Sequence, residues 1–183
     1  MFSKSCIQLL DVVFSKEEEF KIHKISLGEL VIEFDETKTT EKKIITLLKK
    51  YGFEPVQNSN DKIVELTKQA AVELIFYSFN SNSLIRNSDY ISQKLQLPYD
   101  KIAKIFKKQT KTTLEKYIIA LKIEKAKDMI ISAEFNVSEI AFMLGYSSVH
   151  YLSNLFKKST GVTISGFKQN PTKYRVAIED LLI

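Results

Sequence analysis

Ile102-Ala103-Lys104-Ile105-Phe106-Lys107-Lys108-Gln109-Thr110 returns fifty residues later as Leu152-Ser153-Asn154-Leu155-Phe156-Lys157-Lys158-Ser159-Thr160. The apolar positions, both lysine pairs and the closing threonine recur in register. Apolar residues three and four apart define one buried side of a helix, so each copy reads as an amphipathic helix with a basic end. A looser match precedes each copy: Tyr90-Ile91-Ser92-Gln93-Lys94-Leu95 and Glu139-Ile140-Ala141-Phe142-Met143-Leu144. Each unit is therefore a short helix, a tight turn and a second helix. The pair predicts two helix-turn-helix modules in one chain.

The second unit carries the denser signals. Asn136 followed three positions later by Glu139 is a capping-box pattern, which starts a helix near Val137. Ile140, Ala141 and Leu144 are its expected inner face. Gly145 ends it, at a position where glycine takes a left-handed backbone without steric cost. Ser147 is the expected cap of the next helix, with Val149, Leu152 and Phe156 inward. His150, Tyr151, Asn154, Lys157 and Lys158 then point outward. In a helix-turn-helix the second helix enters the major groove with its N-terminal part against base edges. His150, Tyr151 and Asn154 are thus expected to read bases, asparagine being able to bond an adenine edge in two places. Lys157, Lys158 and Ser147 are expected at phosphates, where they add affinity without sequence information. An ordinary solvated face on a three-helix core is the competing reading of the same lysines.

The first unit has fewer groups able to read bases. Pro98 should begin its second helix, with Ile102, Ile105 and Phe106 inward and Asp100, Ala103, Lys104, Lys107 and Lys108 outward. Lys104 can bond a guanine and Asp100 can accept from a cytosine. Asp100, Ala103 and Lys104 are the expected base-side positions, and Lys107 and Lys108 the expected phosphate contacts. Lys111 stands where the second copy has Gly161, so this helix end lacks the glycine that a left-handed cap prefers. Between the units, Thr113 to Ser132 is rich in good helix formers and predicts one rigid helix. Such a spacer suits two recognition helices about 34 Å apart, one turn of duplex DNA.

The charge distribution agrees with this. The net charge is +5 over 183 residues. Residues 1–60 hold nine lysines against ten acids, whereas residues 89–175 hold fifteen Lys/Arg against seven acids. The positive excess sits in the repeated half, as a polyanion partner requires. A single cysteine, Cys6, gives no internal disulfide framework and suits a reducing compartment. No signal peptide is read at the N-terminus, and no apolar run is long enough for a membrane span. The expectation is a cytoplasmic protein without membrane contact.

The first third differs in kind. Residues 3–16 have helical spacing through Ile7, Leu10 (or Leu9), Val13 and Phe14. Phe20 to Phe34 alternates through Ile22, Ile25, Leu27, Leu30 and Ile32, a hairpin broken at Leu27-Gly28-Glu29. Thr39-Thr40-Glu41 opens a second helix with Ile44, Ile45, Leu47 and Leu48 inward. Gly52 closes it, and Phe53-Glu54-Pro55-Val56 is expected as a short last strand. Helix, strand, strand, helix, strand is a ferredoxin-like unit lacking its first strand. After Gln57-Asn58-Ser59-Asn60-Asp61, a long helix is expected from Lys62 to Phe79, with Ile63, Leu66, Ala70, Leu74 and Tyr77 inward and Asn80-Ser81-Asn82-Ser83 ending it. The predicted class is α+β: a ferredoxin-like unit at 1–57, a linker helix at 58–84, two helix-turn-helix modules joined by a long helix at 85–170, and a tail at 171–183.

The repeated half resembles the AraC/XylS class of bacterial transcription regulators. The resemblance rests on Ala120-Leu121-Lys122-Ile123-Glu124-Lys125-Ala126, then Val137 through Ser148, then Leu152 through Thr163. It implies two modules with recognition helices in successive major grooves, read through His150, Tyr151 and Asn154 and through Asp100, Ala103 and Lys104. Three departures stand out: Ile164 where the class has proline, Gly166 in the final short helix, and Lys122 where arginine is usual in the linker. The first two are expected to loosen that end, and the third to weaken an ion pair. The N-terminal segment resembles a heavy-metal-associated domain, but Ser3-Lys4-Ser5-Cys6 has one thiol where that pattern has two. One thiol is a poor soft-metal chelate. No metal or cofactor is therefore expected, and the segment is assigned to packing, dimerisation or contact with RNA polymerase or another protein.

The leading function is sequence-specific binding of double-stranded DNA in transcription regulation. Two alternatives are a metal- or thiol-responsive sensor and a protein-interaction module with degenerate DNA readout. An enzyme is disfavoured: the chain has two histidines, no glycine-rich phosphate loop and no nucleophile-base pair at motif spacing.

Overall fold

Leu10, Val13 and Phe14, the apolar side predicted for the first helix, are the residues that α1 (Lys4–Phe14) buries. They form a core with Ile44 of α2 (Glu41–Lys50) and with one face of a hairpin, β1 (Phe20–Ser26) and β2 (Glu29–Phe34). The strands are antiparallel, pairing Phe20 with Phe34, Ile22 with Ile32 and Ile25 with Leu30. The register slips between Ile22 and Lys24, so His23 is an extra residue in β1. That bulge explains why the inward residues step from 22 to 25 and not by two. Thr40 caps α2, its hydroxyl accepting from the Lys43 amide. This computed structural model describes residues 4–17, 19–26, 28–56, 58–77 and 86–182. Ser3, Leu27, Gln57 and Phe79 to Ser83, used in the sequence reading, lie outside the described residues.

The expected strand at Phe53-Glu54-Pro55-Val56 is not formed. Among the described residues the sheet has two strands, and Phe53 to Val56 is irregular. Pro55 has no amide to donate to a ladder, and Val56 is exposed. Only Phe53 reaches the core. The N-terminal unit is thus α-β-β-α, without the closing strand of the ferredoxin-like reading.

The chain divides into two compact units, Met1–Gln69 and Ala70–Ile183, and the division falls within α3 (Ser59–Val72). The expected inner stripe of this helix holds at Ala70, with Ile63 and Leu74 half-buried, and departs at Leu66 and Tyr77. Val64, Thr67, Ala70, Ala71 and Val72 are buried, while Leu66 and Tyr77 are exposed. Thr67 tolerates burial because its hydroxyl donates to the Ile63 carbonyl at 2.6 Å. A period read from apolar residues alone passes over such a position. A π-helical turn at Glu73–Tyr77 then adds a residue to the helical winding and takes Tyr77 off the stripe.

The second unit holds the repeat. α4 (Asn87–Leu95) and α5 (Tyr99–Thr110) form the first pair, α7 (Val137–Met143) and α8 (Val149–Thr160) the second. α6 (Leu114–Ser132) joins them, and α9 (Ile164–Gln169) follows. The repeat runs further than the sequence match. Residues 101–110 and 151–160 have the same sequence of buried, intermediate and exposed positions. Thr110 and Thr160 each donate to the carbonyl four residues back at 2.8 Å. Thr113 and Thr163 each cap the next helix. Phe106 meets Tyr117 at 5.5 Å between ring centroids, and Phe156 meets Phe167 at 5.4 Å. The start of α6 is therefore to the first module what α9 is to the second.

Ile164 is buried in the second module's core, and the Thr163 hydroxyl accepts from the Gly166 amide at 3.1 Å. Of the residues read as a tail (171–183), those described, 171–182, return to α6. Short 3₁₀ turns at Pro171–Tyr174 and Ile178–Leu182 follow α9. Lys127 donates to the Tyr174 carbonyl, and Arg175 pairs with Asp128. Beneath them Lys127 pairs with Glu124, the two being 3% and 7% exposed.

Candidate nucleic-acid interface

α8 is oriented by what it buries. Leu152 and Phe156 are fully enclosed in a core with Ile123, Ala126, Met129 and Ile130 of α6, with Ile140 and Ala141 of α7 and with Leu144 at its C-cap. With that side fixed, His150, Tyr151, Asn154, Lys157 and Lys158 share the exposed side. The turn before it is set by Gly145 at φ 71°, where the Gly145 amide donates to the Phe142 carbonyl and the Tyr146 amide to the Ala141 carbonyl. This 5→2, 6→1 pair is a Schellman closure, for which glycine is the favoured residue. The capping box predicted for α7 is complete: Asn136 accepts from the Ser138 and Glu139 amides, and Glu139 accepts from the Asn136 amide.

One predicted residue changes role. Ser148, not Ser147, caps α8, its hydroxyl accepting from the Tyr151 amide at 3.1 Å. The Schellman closure uses Tyr146 as its last residue, so Ser147 is spent in the turn and the extended cap falls one position later. Val149, expected inward, is exposed for the same reason. Ser147 stays exposed in the turn.

The reading side is partly organised. The Asn154 amide nitrogen donates to Nε2 of His150 at 3.0 Å, one helical turn away. This holds the two side chains together over one patch. Tyr151 is half exposed, and its ring lies 5.8 Å from that of Tyr146. Lys157 and Lys158 sit in the last turn, where the helix dipole also favours cations.

α5 repeats the arrangement with different chemistry. Asp100, Lys104, Lys107 and Lys108 are exposed, whereas Ala103 is half-buried, matching Ser153 in the other module. The sequence reading missed Lys101, which is exposed at the position of Tyr151. The fifty-residue offset alone identifies it. Five lysines (101, 104, 107, 108 and 111) therefore follow the exposed side of α5 and its cap. Lys111 adopts φ 59° at the helix end, as Gly161 does at 79°, so the left-handed cap forms without glycine. The first module's turn is also one residue shorter: Gln96 is left-handed and Pro98 already caps α5.

Two other titrating groups fix α5 to the linker. The Tyr99 hydroxyl donates to Glu115 at 2.8 Å. Burial, reinforced by that carboxylate, pushes the Tyr99 phenol up. The backbone amide of Glu115 itself, with the Tyr99 and Thr113 hydroxyls, holds the carboxyl below its ordinary range against a desolvation cost.

Residues 91–170 match the profile of the helix-turn-helix domain family. The chain is 27% identical over 118 residues to a xylose operon regulatory protein of Escherichia coli, covering 64% of this chain and 28% of that protein. It is 24% identical over 139 residues to an msm operon regulatory protein of Streptococcus mutans, covering 76% of this chain and 46% of that protein. The chain thus spans less than half the length of these two relatives. Among solved structures, the C-terminal domain of AraT, a response regulator from Geobacillus stearothermophilus, aligns over 58% of this chain and 84% of that one, with 23% identity and a TM-score of 0.49.

Proposed function

We propose that the chain is a DNA-binding transcription regulator of the AraC/XylS type, placing α5 and α8 in successive major grooves of double-stranded DNA. The observation that carries this reading is the repeated helix pair itself. In both copies the second helix turns the same apolar positions inward and leaves a basic, polar side exposed. The helix-turn-helix profile over 91–170 and relatives named as operon regulators support it. His150, Tyr151 and Asn154 are assigned to base edges, with Asp100, Lys101 and Lys104 in the first module and Ala103 as a close backbone approach. Lys107, Lys108, Lys157 and Lys158, with Ser147 in the turn, are assigned to phosphates. The N-terminal unit is assigned to contact with RNA polymerase or another protein, a reading that the exposed Leu9 and Val12 of α1 support.

Base and phosphate roles separate by experiment. Asn154→Ala should relax preference at one base pair, costing about 1–3 kcal/mol of discrimination. Lys158→Ala should weaken all duplexes alike and flatten the slope of log K against log salt by about 0.9. Titrating both variants against cognate and random duplexes at several salt concentrations checks this. Equal losses on both duplexes for Asn154→Ala would remove it from the readers.

A further inference from the structure

Lys122 lies on α6, outside both helix pairs, yet it touches two residues of the second module's turn, on either side of Gly145. Its ammonium donates to the Leu144 carbonyl at 2.7 Å. It lies 5.3 Å from the centre of the Tyr146 ring. A Cβ on Gly145, between them, would stand 3.7 Å from the same nitrogen. The expected ion pair at this position is replaced by a carbonyl at the C-terminal end of α7 and by an aromatic face, both of which attract a cation. Tyr146 in turn packs its ring on Tyr151, a proposed base reader. Burial pushes the Lys122 ammonium down from its ordinary value, so its charge is held where water is scarce and directed contacts count.

We infer that Lys122 is a positioning residue for base readout, fixing through the Leu144–Tyr146 turn and the Tyr146 ring the direction in which Tyr151 leaves α8. The inference rests on the DNA-binding reading above. Lys122 is partly buried and engaged by the turn, whereas Lys101, Lys104, Lys107, Lys108, Lys157 and Lys158 on α5 and α8 are exposed. The first module offers a contrast: Leu97 holds the place of Tyr146 in its turn, and Lys101 that of Tyr151. The device therefore belongs to the second module.

The test uses the full chain, with base preference measured by competition among duplexes that differ at one base pair at a time. Tyr151→Ala first identifies the base pair that this side chain reads. Lys122→Met should lose about tenfold of the preference at that same base pair while binding to random duplex stays within about twofold. Lys122→Arg, which keeps the cation over the ring, should restore the preference. Tyr146→Phe should keep it, since the ring remains. Thermal melting establishes that each variant is folded; if Lys122→Met is not, Tyr146→Leu removes the ring and asks the same question. A folded Lys122→Met or Tyr146→Leu protein with the wild-type preference at that base pair overturns the inference. So does an equal loss on cognate and random duplex. A wild-type chain that prefers no sequence would instead overturn the DNA-reading assignment on which it stands.

Discussion

Lys127 and Glu124 show what a single side chain can commit to. Both are charged and almost fully enclosed, and Lys127 also holds the Tyr174 carbonyl while Glu124 accepts from the Val176 amide. The pair ties the last residues of the chain to the linker helix. Removing one partner leaves the other charge buried and alone, so Lys127→Met should destabilise the second unit by about 3–5 kcal/mol in urea denaturation. A loss under 1 kcal/mol would mean the clasp is not formed. Lys111 is a smaller case with the opposite sign. A non-glycine residue in the left-handed region costs about 1 kcal/mol, so Lys111→Gly should raise stability by roughly 0.5–1 kcal/mol in the same assay. Tyr146 is a third. Among the described residues its buried hydroxyl meets no hydrogen-bond partner, and burial pushes its pKa up to about 12. Tyr146→Phe should therefore melt at the wild-type temperature or slightly above it. The place of Lys111 was legible from the repeat, but the contacts of Lys127 and Tyr146 were not. The burial of a lysine depends on residues about fifty positions away, and no local pattern announces it.

At the scale of elements the sequence was most readable where two signals coincided. The capping box at Asn136 and Glu139 and the left-handed Gly145 bracket α7, and the helix formers after Thr113 coincide with α6. Where only a period was available, phase errors followed. α3 turned a threonine inward, and the start of α8 moved by one residue because its turn used Tyr146 and Ser147. The strand expected at Phe53 to Val56 failed on Pro55. The junction of α5 and α6 gives a pH test. The Glu115 carboxyl is held below 4.5 in the folded chain, so its contribution is complete above that value and is lost as pH falls through the lower folded one. Glu115→Gln should show a shallower loss of stability on acidification than wild type. Identical acid limbs would mean that the contacts with Tyr99 and Thr113 contribute nothing.

For the molecule as a whole, the repeat carried both the architecture and the functional reading. The offset of fifty residues predicted the two helix pairs, the exposed sides of α5 and α8 and the direction of their lysines. It also contained Lys101, which inspection of outward positions alone passed over. The positive charge confined to this half agrees with one polyanion partner for both modules. α6, the one long helix between the two pairs, runs about 28 Å over its 19 residues. The first module, with its row of lysines, should add affinity more than discrimination, and the second should do most of the reading.

The most direct measurement is selection from random duplex DNA by the purified chain at physiological salt. The account predicts two short half-sites in direct orientation, about ten base pairs apart, the one under α8 better defined. Binding that enriches no sequence and disappears as salt rises would contradict it.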